Sequence, residues 1–320
     1  MCSAVDTSVE WQTVGYQLLL AIGGPAPDTM PELPDILIYL EAINAQVVGS
    51  TMQSVVVRSP FVVRTFEPDI ATCAGRTVLD CTRLGKRIVF ELDDDLYLVF
   101  HLMIAGRLHW RKPESNPTRK TDLAAFGFEQ GTLLFTEASK KKRASLHVLQ
   151  GRASLSEHTR GGVDVTGCSL QEFHDRLKSQ NRTLKRALTD PNLFDGIGNA
   201  YSDEILHAAR LSPLQLTSRL DDDQVAALFD AARETLVMWT DRLRQKAGGK
   251  FPSKVTSFHP EMAVHGRFKE PCPDCGSRVQ RIVFSEREFN YCAKCQTGGK
   301  VLRDRSLSRL LKDDWPGKLE

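Results

Sequence analysis

Four of the eight cysteines lie close together near the C-terminal end of the 320-residue chain. Cys272 and Cys275 form one C-x2-C pair. Cys292 and Cys295 form a second pair after a gap of sixteen residues. Each pair closes a tight turn that can aim two thiolates at one tetrahedral centre, and this spacing is typical of a four-cysteine zinc site. Two short disulfides or free thiols are the alternatives. However, C-x2-C disulfides belong mostly to redox enzymes near a βαβ pattern, which this hairpin-like stretch lacks. The sequence therefore predicts one closed, structural Zn²⁺ site in a reducing compartment.

Three further patterns place charged groups or glycines at the ends of predicted elements. Met30-Pro31-Glu32-Leu33-Pro34-Asp35 puts a carboxylate at a helix start, and Gly85-Lys86 puts a lysine just before a strand. Asp195-Gly-Ile-Gly-Asn-Ala-Tyr-Ser-Asp-Glu204 contains glycines that let the backbone approach a phosphate, followed by a helix N-terminus that attracts the anion. Taken alone, Glu32 could simply complement the helix dipole, and Lys86 could be a surface lysine on an exposed strand.

In this order and at these separations, the three patterns and the cysteine ribbon resemble the formamidopyrimidine-DNA glycosylase and endonuclease VIII family. The resemblance covers nearly everything from Met30 onward, and it implies that Pro31, following an initiator methionine, is the nucleophile. An N-terminal proline is a secondary amine with a pKa of about 8, against about 10.4 for lysine, so a usable fraction is unprotonated near neutral pH. Its attack on C1′ of the damaged nucleotide displaces the base and leaves an iminium ion. β-Elimination and then a second elimination can follow from that intermediate.

The same resemblance assigns roles to further residues. Glu32 would protonate the sugar ring oxygen and shuttle protons during elimination, and Lys86 would contact phosphate by the lesion and assist catalysis. The residues expected to contact DNA are His101, Lys185, Asn199, Arg281 and Arg287. Arg287, five residues before Cys292, would grip flanking phosphates through a bidentate fork. For His101, a strand histidine without a ligand is the alternative.

Several positions depart from the family's pattern, and these departures affect the choice of substrate more than the reaction chemistry. Asp35 stands where the family commonly has Glu, and Ile104 takes the place of the methionine that fills the hole left by the extruded nucleotide. Lys141-Lys142, the local match to an Arg-Phe pair, lacks an aromatic ring. Residues 247–256 also differ from the loop that covers 8-oxoguanine in the purine-specific branch. Flipping a base costs least at damaged or single-stranded sites. Side chains that fill the gap left by the extruded nucleotide less well therefore predict a preference for destabilised or unpaired lesions.

The elements that must position these residues change character along the chain. Pro34 to Ala45 is predicted as a helix, because its apolar residues share one face and proline suits the first turn. From Val47 to about Leu149 the pattern is that of short strands, including a hairpin over 87–102, which indicates a sandwich or barrel. Beyond a Gly- and Thr-rich linker, the capping box Ser169-Leu-Gln-Glu172 and a long amphipathic helix over 221–244 predict a helical region.

We therefore predict an α+β protein, with an N-terminal β-sandwich and a leading helix. A C-terminal domain follows that, by the resemblance, is of the helix–two-turns–helix type with a four-cysteine zinc ribbon. The expected segments are a 1–29 extension, the 30–155 β-sandwich catalytic domain, the 165–256 helical DNA-binding domain, the 257–300 zinc ribbon and a 301–320 tail. No Lys or Arg precedes the mildly apolar stretch 16–23, so residues 1–29 are not expected to be a secretory signal. They are expected to be a wrongly assigned start or a disordered tail.

The composition limits the class of protein but does not identify a binding partner. The chain is 41% hydrophobic and 26% charged, with a net charge of +2, and no apolar run reaches the ~18 residues of a membrane-spanning helix. Residues 139–160 hold six basic side chains against one acid, and residues 281–312 hold eight against three. Such concentrated stretches favour phosphate-backbone binding, with a solvated face as the alternative.

Together these observations predict a monomeric, bifunctional DNA glycosylase/AP lyase of base-excision repair with one structural Zn²⁺. Its partner would be damaged double-stranded or single-stranded DNA, in the cytoplasm at the bacterial nucleoid. One alternative is endonuclease VIII-like specificity for oxidised pyrimidines. The other is a catalytically silent relative that binds damaged DNA, against which the retained Glu32 and Lys86 argue.

Overall fold

The computed structural model describes residues 30–252, 255–284 and 287–303, apart from the side chains of Phe284 and Arg287. The predictions for residues 1–29 and for most of the 301–320 tail lie outside the described residues. The helices are α1 (Leu33–Val47), α2 (Leu170–Lys178), α3 (Leu184–Leu188), α4 (Asn199–Ala208), α5 (Asp222–Ala247) and α6 (Ala293–Thr297). The strands are β1 (Ser54–Val57), β2 (Val78–Leu84), β3 (Arg87–Leu92), β4 (Leu96–His101), β5 (Gly106–Arg111), β6 (Asp122–Phe128), β7 (Gly131–Glu137), β8 (Ser145–Gln150), β9 (Val279–Phe284) and β10 (Arg287–Cys292).

Helix α1 leads the first domain and carries the proline–glutamate pair at its N-terminal end. Pro34 lies in the first turn, where a missing N–H costs no helical hydrogen bond. The Asp35 carboxylate turns back and accepts the Glu32 backbone N–H at 2.9 Å. Ile36 and Ile43 are fully buried against the sandwich. The start of the helix is thus held both locally and by packing.

Two four-stranded antiparallel sheets make the N-terminal sandwich. Their strand orders are β1-β6-β7-β5 and β2-β3-β4-β8. Phe100 stands at the centre of the core between them, with its ring 5.1 Å from those of Phe90 and Phe126. The predicted hairpin over 87–102 is present as β3 and β4, and its register sets Arg87 opposite His101. The end of this hairpin therefore brings Lys86, Arg87 and His101 to one edge.

The C-terminal domain is helical and has its own core. α5 runs for 26 residues and ends at Gly248, whose φ of 57° is the left-handed conformation typical of a helix end. The ring of Phe173 in α2 packs 4.7 Å from Phe194 and 5.3 Å from Phe229. The predicted capping box at Ser169 is formed, since its hydroxyl accepts the N–H of the third helical residue.

A two-stranded ribbon follows this domain and is anchored to α4. β9 and β10 pair antiparallel, with Arg281 opposite Asn290. The Glu204 carboxylate, on α4, accepts three backbone N–H groups of residues 263–265 at 2.7–2.9 Å. The predicted fold class, an α+β protein with a leading helix, a β-sandwich, a helical domain and a cysteine ribbon, is confirmed. None of the helices in the described part of the chain combines the length and apolar character that a membrane crossing requires.

Candidate active site

The carboxylate of Glu32 joins the two domains. It is buried, and it accepts the backbone N–H groups of Gly198 at 2.6 Å, Ala200 at 2.9 Å and Tyr201 at 3.2 Å. These donors belong to the glycine turn and the first turn of α4, where helical N–H groups have no partner within the helix. The side chain next to Pro31 is therefore fixed by residues more than 160 positions away in the sequence.

The two glycines of this turn are needed for two different physical reasons. Gly196 has a φ of +79°, a conformation that L side chains rarely adopt, and its backbone lies against Leu33. Gly198 instead allows a close approach, because a Cβ there would lie 2.4 Å from Lys86 Nζ and 2.5 Å from the Glu32 carboxylate carbon. The structure thus brings together Glu32 and Lys86, which the sequence analysis predicted as catalytic residues.

A cavity of about 300 Å³ opens beside this group between the two domains. Half-buried Met30 lies in its wall, so the Met30–Pro31 bond is next to the cavity. The basic and imidazole side chains of the lining are Lys86, Arg87, His101, His158 and Arg160. The acid of the lining, Asp195, is paired with Arg83 at 2.7 Å. A concave surface with this charge suits an anionic ligand such as a phosphate chain.

Burial and neighbouring cations hold His101 in its neutral form. The pKa of His101 is lowered to about 4, mainly by burial and further by the charges of Arg87, His147 and Lys86. At neutral pH this ring can therefore meet a phosphate as an N–H donor but carries no charge of its own. In the unfolded chain the His101 imidazole has a pKa near 6.5 and binds a proton that the buried ring does not. The folded state therefore loses stability progressively as the pH falls from about 6.5 towards 4.

Arg87 is a half-buried cation with few partners in the described part of the chain. Its Nη1 donates to the His158 carbonyl at 2.6 Å, while Nε is buried without a hydrogen-bond partner among the described residues. Burial and the nearby charge of Arg160 lower the pKa of Arg87. Sequence reasoning missed Arg87, although its position beside Lys86 at the start of a strand was a usable signal.

Lys185, predicted to contact DNA, lies inside the protein. Its side chain is 1% exposed, and Nζ donates to the Asn199 carbonyl at 2.6 Å and contacts Asp203 at 2.5 Å. Asp203 also contacts His265 Nδ1 at 2.8 Å. A direct DNA contact would require this buried ion pair to open, at considerable cost. Asp203 belongs to the motif that follows the glycine turn, but its sequence position does not reveal its partners, and no sequence signal points to His265.

The remaining residues predicted to contact DNA lie on the ribbon or at its junction with α4. Half-buried Asn199 donates from Nδ2 to the Glu288 carbonyl at 2.9 Å and so ties α4 to β10. Arg281 is exposed on β9, lies 3.4 Å from the Glu288 carboxylate and stacks over the ring of Phe268 at 4.3 Å. The side chain of Arg287 is not described; its backbone pairs with Phe284 at one end of the β9–β10 ladder.

The four ribbon cysteines form a site that fits one structural Zn²⁺. Their Sγ atoms all lie within 4.8 Å of one another, at 3.4 Å for Cys275–Cys292 and 4.0 Å for Cys272–Cys295. A tetrahedral Zn²⁺ with Zn–S bonds of about 2.3 Å requires sulfur atoms about 3.8 Å apart, and thiolates are its preferred ligands. His207 on α4 places Nε2 3.3 Å from Cys272 Sγ, an outer contact of the kind that orients a metal ligand. The predicted cofactor is confirmed.

Comparison with known proteins agrees with this architecture segment by segment. The family model described as "Formamidopyrimidine-DNA glycosylase N-terminal domain" matches residues 30–143. The "Formamidopyrimidine-DNA glycosylase H2TH domain" model matches residues 165–242. The "Zinc finger found in FPG and IleRS" model matches residues 269–298. The three matches follow the order of the sandwich, the helical domain and the ribbon.

Whole-chain relatives extend the similarity across these segments. The formamidopyrimidine-DNA glycosylase of Heliobacterium modesticaldum is 30% identical over 280 residues, covering 83% of this chain and 100% of the relative. That of Bacillus subtilis is 29% identical over 282 residues, covering 84% and 99%. An uncharacterized formamidopyrimidine-DNA glycosylase-like protein of Mycobacterium tuberculosis is 38% identical over 151 residues, covering 47% and 94%.

Solved structures show the same arrangement. The Lactococcus lactis FPG (MutM) in complex with a FAPY-dG containing DNA has a TM-score of 0.74 at 25% identity, covering 83% of this chain and 100% of that chain. The wild-type Lactococcus lactis protein in complex with an oxidized pyrimidine containing DNA has a TM-score of 0.72, with the same identity and coverage. The cysteine site, the glycine turn, the buried glutamate and these matches together establish that the chain belongs to the formamidopyrimidine-DNA glycosylase family.

Proposed function

We propose that this protein is a bifunctional DNA glycosylase/AP lyase of base-excision repair that acts through the amine of Pro31. The observation that carries the proposal is the meeting of Glu32 and Lys86 at Gly198, beside a cationic cavity that Met30 lines. The similarity to proteins named formamidopyrimidine-DNA glycosylase, some of them solved with damaged DNA, supports DNA as the partner. Glu32 also fixes the turn at Gly198, a structural role that a silent DNA-binding relative would share, so an assay of base excision distinguishes the two functions.

The chemistry follows from a secondary amine at the start of the chain. The nitrogen lone pair of Pro31 attacks C1′ of the damaged nucleotide, and the base leaves with the electrons of the glycosidic bond and takes up the proton that the amine loses. Glu32 delivers a proton to the sugar ring oxygen, which opens, and the C1′–N bond becomes an iminium ion. Loss of a 2′ proton then expels the 3′ phosphate by β-elimination. A second elimination releases the 5′ phosphate.

The charged residues around the cavity hold the DNA strand. Lys86 and neutral His101 would meet phosphates flanking the extruded nucleotide, Lys86 as a cation and His101 as an N–H donor. Asn199, at the start of α4, adds a polar group beside the helix N-terminus. In this proposal Lys185 acts from inside the protein, orienting Asn199 through its carbonyl. Arg281 and Arg287 on the ribbon would contact phosphates on the side of the extruded nucleotide opposite Lys86 and His101.

The lesion preference is proposed from the residues that would replace an extruded nucleotide. Ile104 is 40% exposed on the turn between β4 and β5, where a short branched side chain can fill only part of a base-sized gap. Lys141 and Lys142 contribute no ring to stack on bases. We therefore propose that already unpaired or destabilised lesions are preferred, because extrusion then costs less. Specificity for oxidised pyrimidines of the endonuclease VIII type is the alternative.

A panel of lesion-containing duplexes and single strands, assayed with borohydride trapping, tests the proposed reaction. In the chain that begins at Pro31, Glu32→Gln should lower base excision by about 10²–10⁴-fold and affect strand cleavage at a preformed abasic site less, because proton delivery is needed most to expel the base. Glu41→Gln, on the exposed face of the same helix, is the matched control. Equal excision by Glu32→Gln and the parent would contradict the proposed role of Glu32.

Arg287 provides a test of the DNA-binding surface. Arg287→Ala should weaken binding to every sequence alike and reduce the slope of log K against log salt by about 0.9, since a phosphate contact carries no base information. Binding is measured by fluorescence anisotropy between about 50 and 200 mM salt. Arg244→Ala, which removes an ion pair with Glu41 on α1, is the control. An unchanged salt slope, or a loss confined to one lesion type, would count against this contact.

A further inference from the structure

A buried hydroxyl and a buried carboxylate stand together behind Pro31. Ser257 and Asp35 are 0% and 1% exposed, and Ser257 Oγ lies 2.7 Å from Asp35 Oδ2. The same Oγ lies 2.7 Å from the Met30 carbonyl oxygen. That oxygen and the Pro31 nitrogen share one carbonyl carbon, which places them about 2.3 Å apart. Ser257 Oγ is therefore no more than about 5 Å from the proposed nucleophile.

The hydrogen-bonding capacity of Ser257 determines what happens when Met30 is removed. A hydroxyl has one proton to donate and two lone pairs to accept with, so it cannot fully serve both Asp35 and the Met30 carbonyl. Without Met30, the Ser257 hydroxyl can donate its hydrogen bond to the Asp35 carboxylate while its lone pairs face the Pro31 amine. Asp35 is held in place for this by the Glu32 N–H at 2.9 Å.

Asp35 is better placed than Glu32 to take up a proton from Pro31. The Glu32 oxygens already accept three backbone N–H groups. Asp35 Oδ2 accepts the Glu32 N–H and contacts Ser257 Oγ, whereas Oδ1 lies 3.6 Å from His259 Nε2, a buried atom that has no hydrogen-bond partner among the described residues. The carboxylate that reaches the amine through a hydroxyl is therefore that of Asp35.

We propose that Ser257 and Asp35 remove the proton that Pro31 must lose before it attacks, which rests on the proposed function of Pro31 as the nucleophile. The N–H bond of the prolinium breaks and leaves the lone pair on nitrogen. Ser257 Oγ takes up that proton as it passes its own proton to Asp35 Oδ2. The products are neutral proline, an unchanged serine and an Asp35 carboxylic acid.

Other ionisable groups face the start of the chain and would also influence the amine. They are Glu32 at the start of α1, Lys86, Arg87 and His101 at the hairpin edge, Tyr201 on α4, His259 in the segment after α5, and His158, Arg160 and Asp195 in the cavity wall. The test therefore compares variants that leave all of these charges in place.

In the chain that begins at Pro31, Ser257→Ala should slow covalent trapping about 100-fold near pH 6.5, the lower end of a general acid–base contribution. The loss should shrink to less than about twofold near pH 9.5, because an amine with a pKa of about 8 then loses its proton to water without help. Asp35→Asn should show the same convergence at high pH. The measurement is the single-turnover rate of borohydride trapping on saturating abasic DNA, followed across pH.

Two further variants separate a proton relay from a structural role. Ser257→Thr keeps the hydroxyl and should keep the parent pH profile. Thr240→Val removes a different buried hydroxyl, which donates to the Leu236 carbonyl within α5, and should also leave the profile unchanged. A loss of equal size at every pH, or no loss at any pH, would overturn the relay while the parent chain is still trapped. No trapping of the parent chain would overturn the proposed nucleophile, and the relay with it.

Discussion

A chain that begins at Pro31 is expected to be trapped covalently on abasic DNA by borohydride, whereas the 320-residue chain is expected to give no adduct. With Met30 in place the Pro31 nitrogen is part of a tertiary amide, and its lone pair is delocalised into the carbonyl group. No iminium ion can form at that nitrogen. The effect is therefore a complete loss within the sensitivity of the assay.

The folded structure supports this expectation. The elements of the sandwich begin at Leu33, and Met30 lies half-buried at the cavity that the reacting sugar would enter. Removing Met30 takes away its hydrogen bond with Ser257 and opens the nitrogen to that cavity. The experiment produces the shorter chain by translation from Met30, since the small proline side chain permits removal of the methionine.

Two comparisons decide whether Pro31 is the reacting group. Pro31→Gly, placed at the same chain start, should retain part of the trapping because a primary amine still forms an imine. Mass spectrometry of the trapped peptide should locate the DNA adduct on residue 31. If the 320-residue chain with a verified, intact start cross-links as well as the shorter chain, Pro31 is not the nucleophile. Lys86, whose ammonium group lies beside Glu32 and Gly198, would then be the first lysine to test.

Loss of the zinc site is expected to have the second largest effect. Cys292→Ser should abolish stoichiometric metal binding and strongly weaken binding to duplex DNA. The ribbon has two small buried clusters: Val264, Val279, Cys272 and Cys292 around the ligands, and Ile282, Tyr291 and Ala293 beside them. Because two of the ligands belong to the first cluster, metal binding should contribute much of the folding free energy of the ribbon, as the value of about 10–16 kcal/mol for zinc-finger peptides indicates.

The two domain cores should survive this substitution. The cluster of the helical domain includes Phe173, Phe194 and Trp239 and contains none of the four ligands. Arg281 and the residues of β10 would lose their fixed orientation, which explains why DNA binding should fall although the protein stays folded. Metal content is measured by atomic absorption and DNA affinity by anisotropy. Cys168→Ser, at a half-buried thiol outside the ribbon, is the control. Undiminished affinity in a metal-free Cys292→Ser protein would refute the proposed link.

Much of the molecule could be predicted from local sequence patterns, because the physical rule behind each pattern acts over a few residues. The C-x2-C pairs specify a metal site through the geometry of their own turns. The alternation of residues 87–102 specifies a hairpin, and its turn residues Asp94 and Asp95 adopt the positive φ values that such a turn requires. The capping box at Ser169 marks a helix start for the same local reason.

The roles of individual polar side chains were less predictable, because they depend on which surfaces pack together. Lys185 and Arg281 are both basic residues that were predicted to contact DNA, and nothing in the sequence distinguishes the enclosed lysine from the exposed arginine. Burial of Lys185 became evident only from its contacts with Asp203 and the Asn199 carbonyl. Its enclosure reflects the packing of α3 against α4 and the ribbon.

The sequence by itself determined the order of the elements, the four metal ligands and the membership of Pro31 and Glu32 in one helix start. Tertiary structure alone decided that the Glu32 carboxylate binds the turn at Gly198, and that Ser257 reaches Asp35 across 222 positions of sequence. The physical reason is the distance along the sequence over which each interaction acts. Capping, alternation and turn chemistry act between near neighbours, whereas a buried carboxylate takes its partners from whichever backbone and hydroxyl groups the packing of two domains brings within about 3 Å.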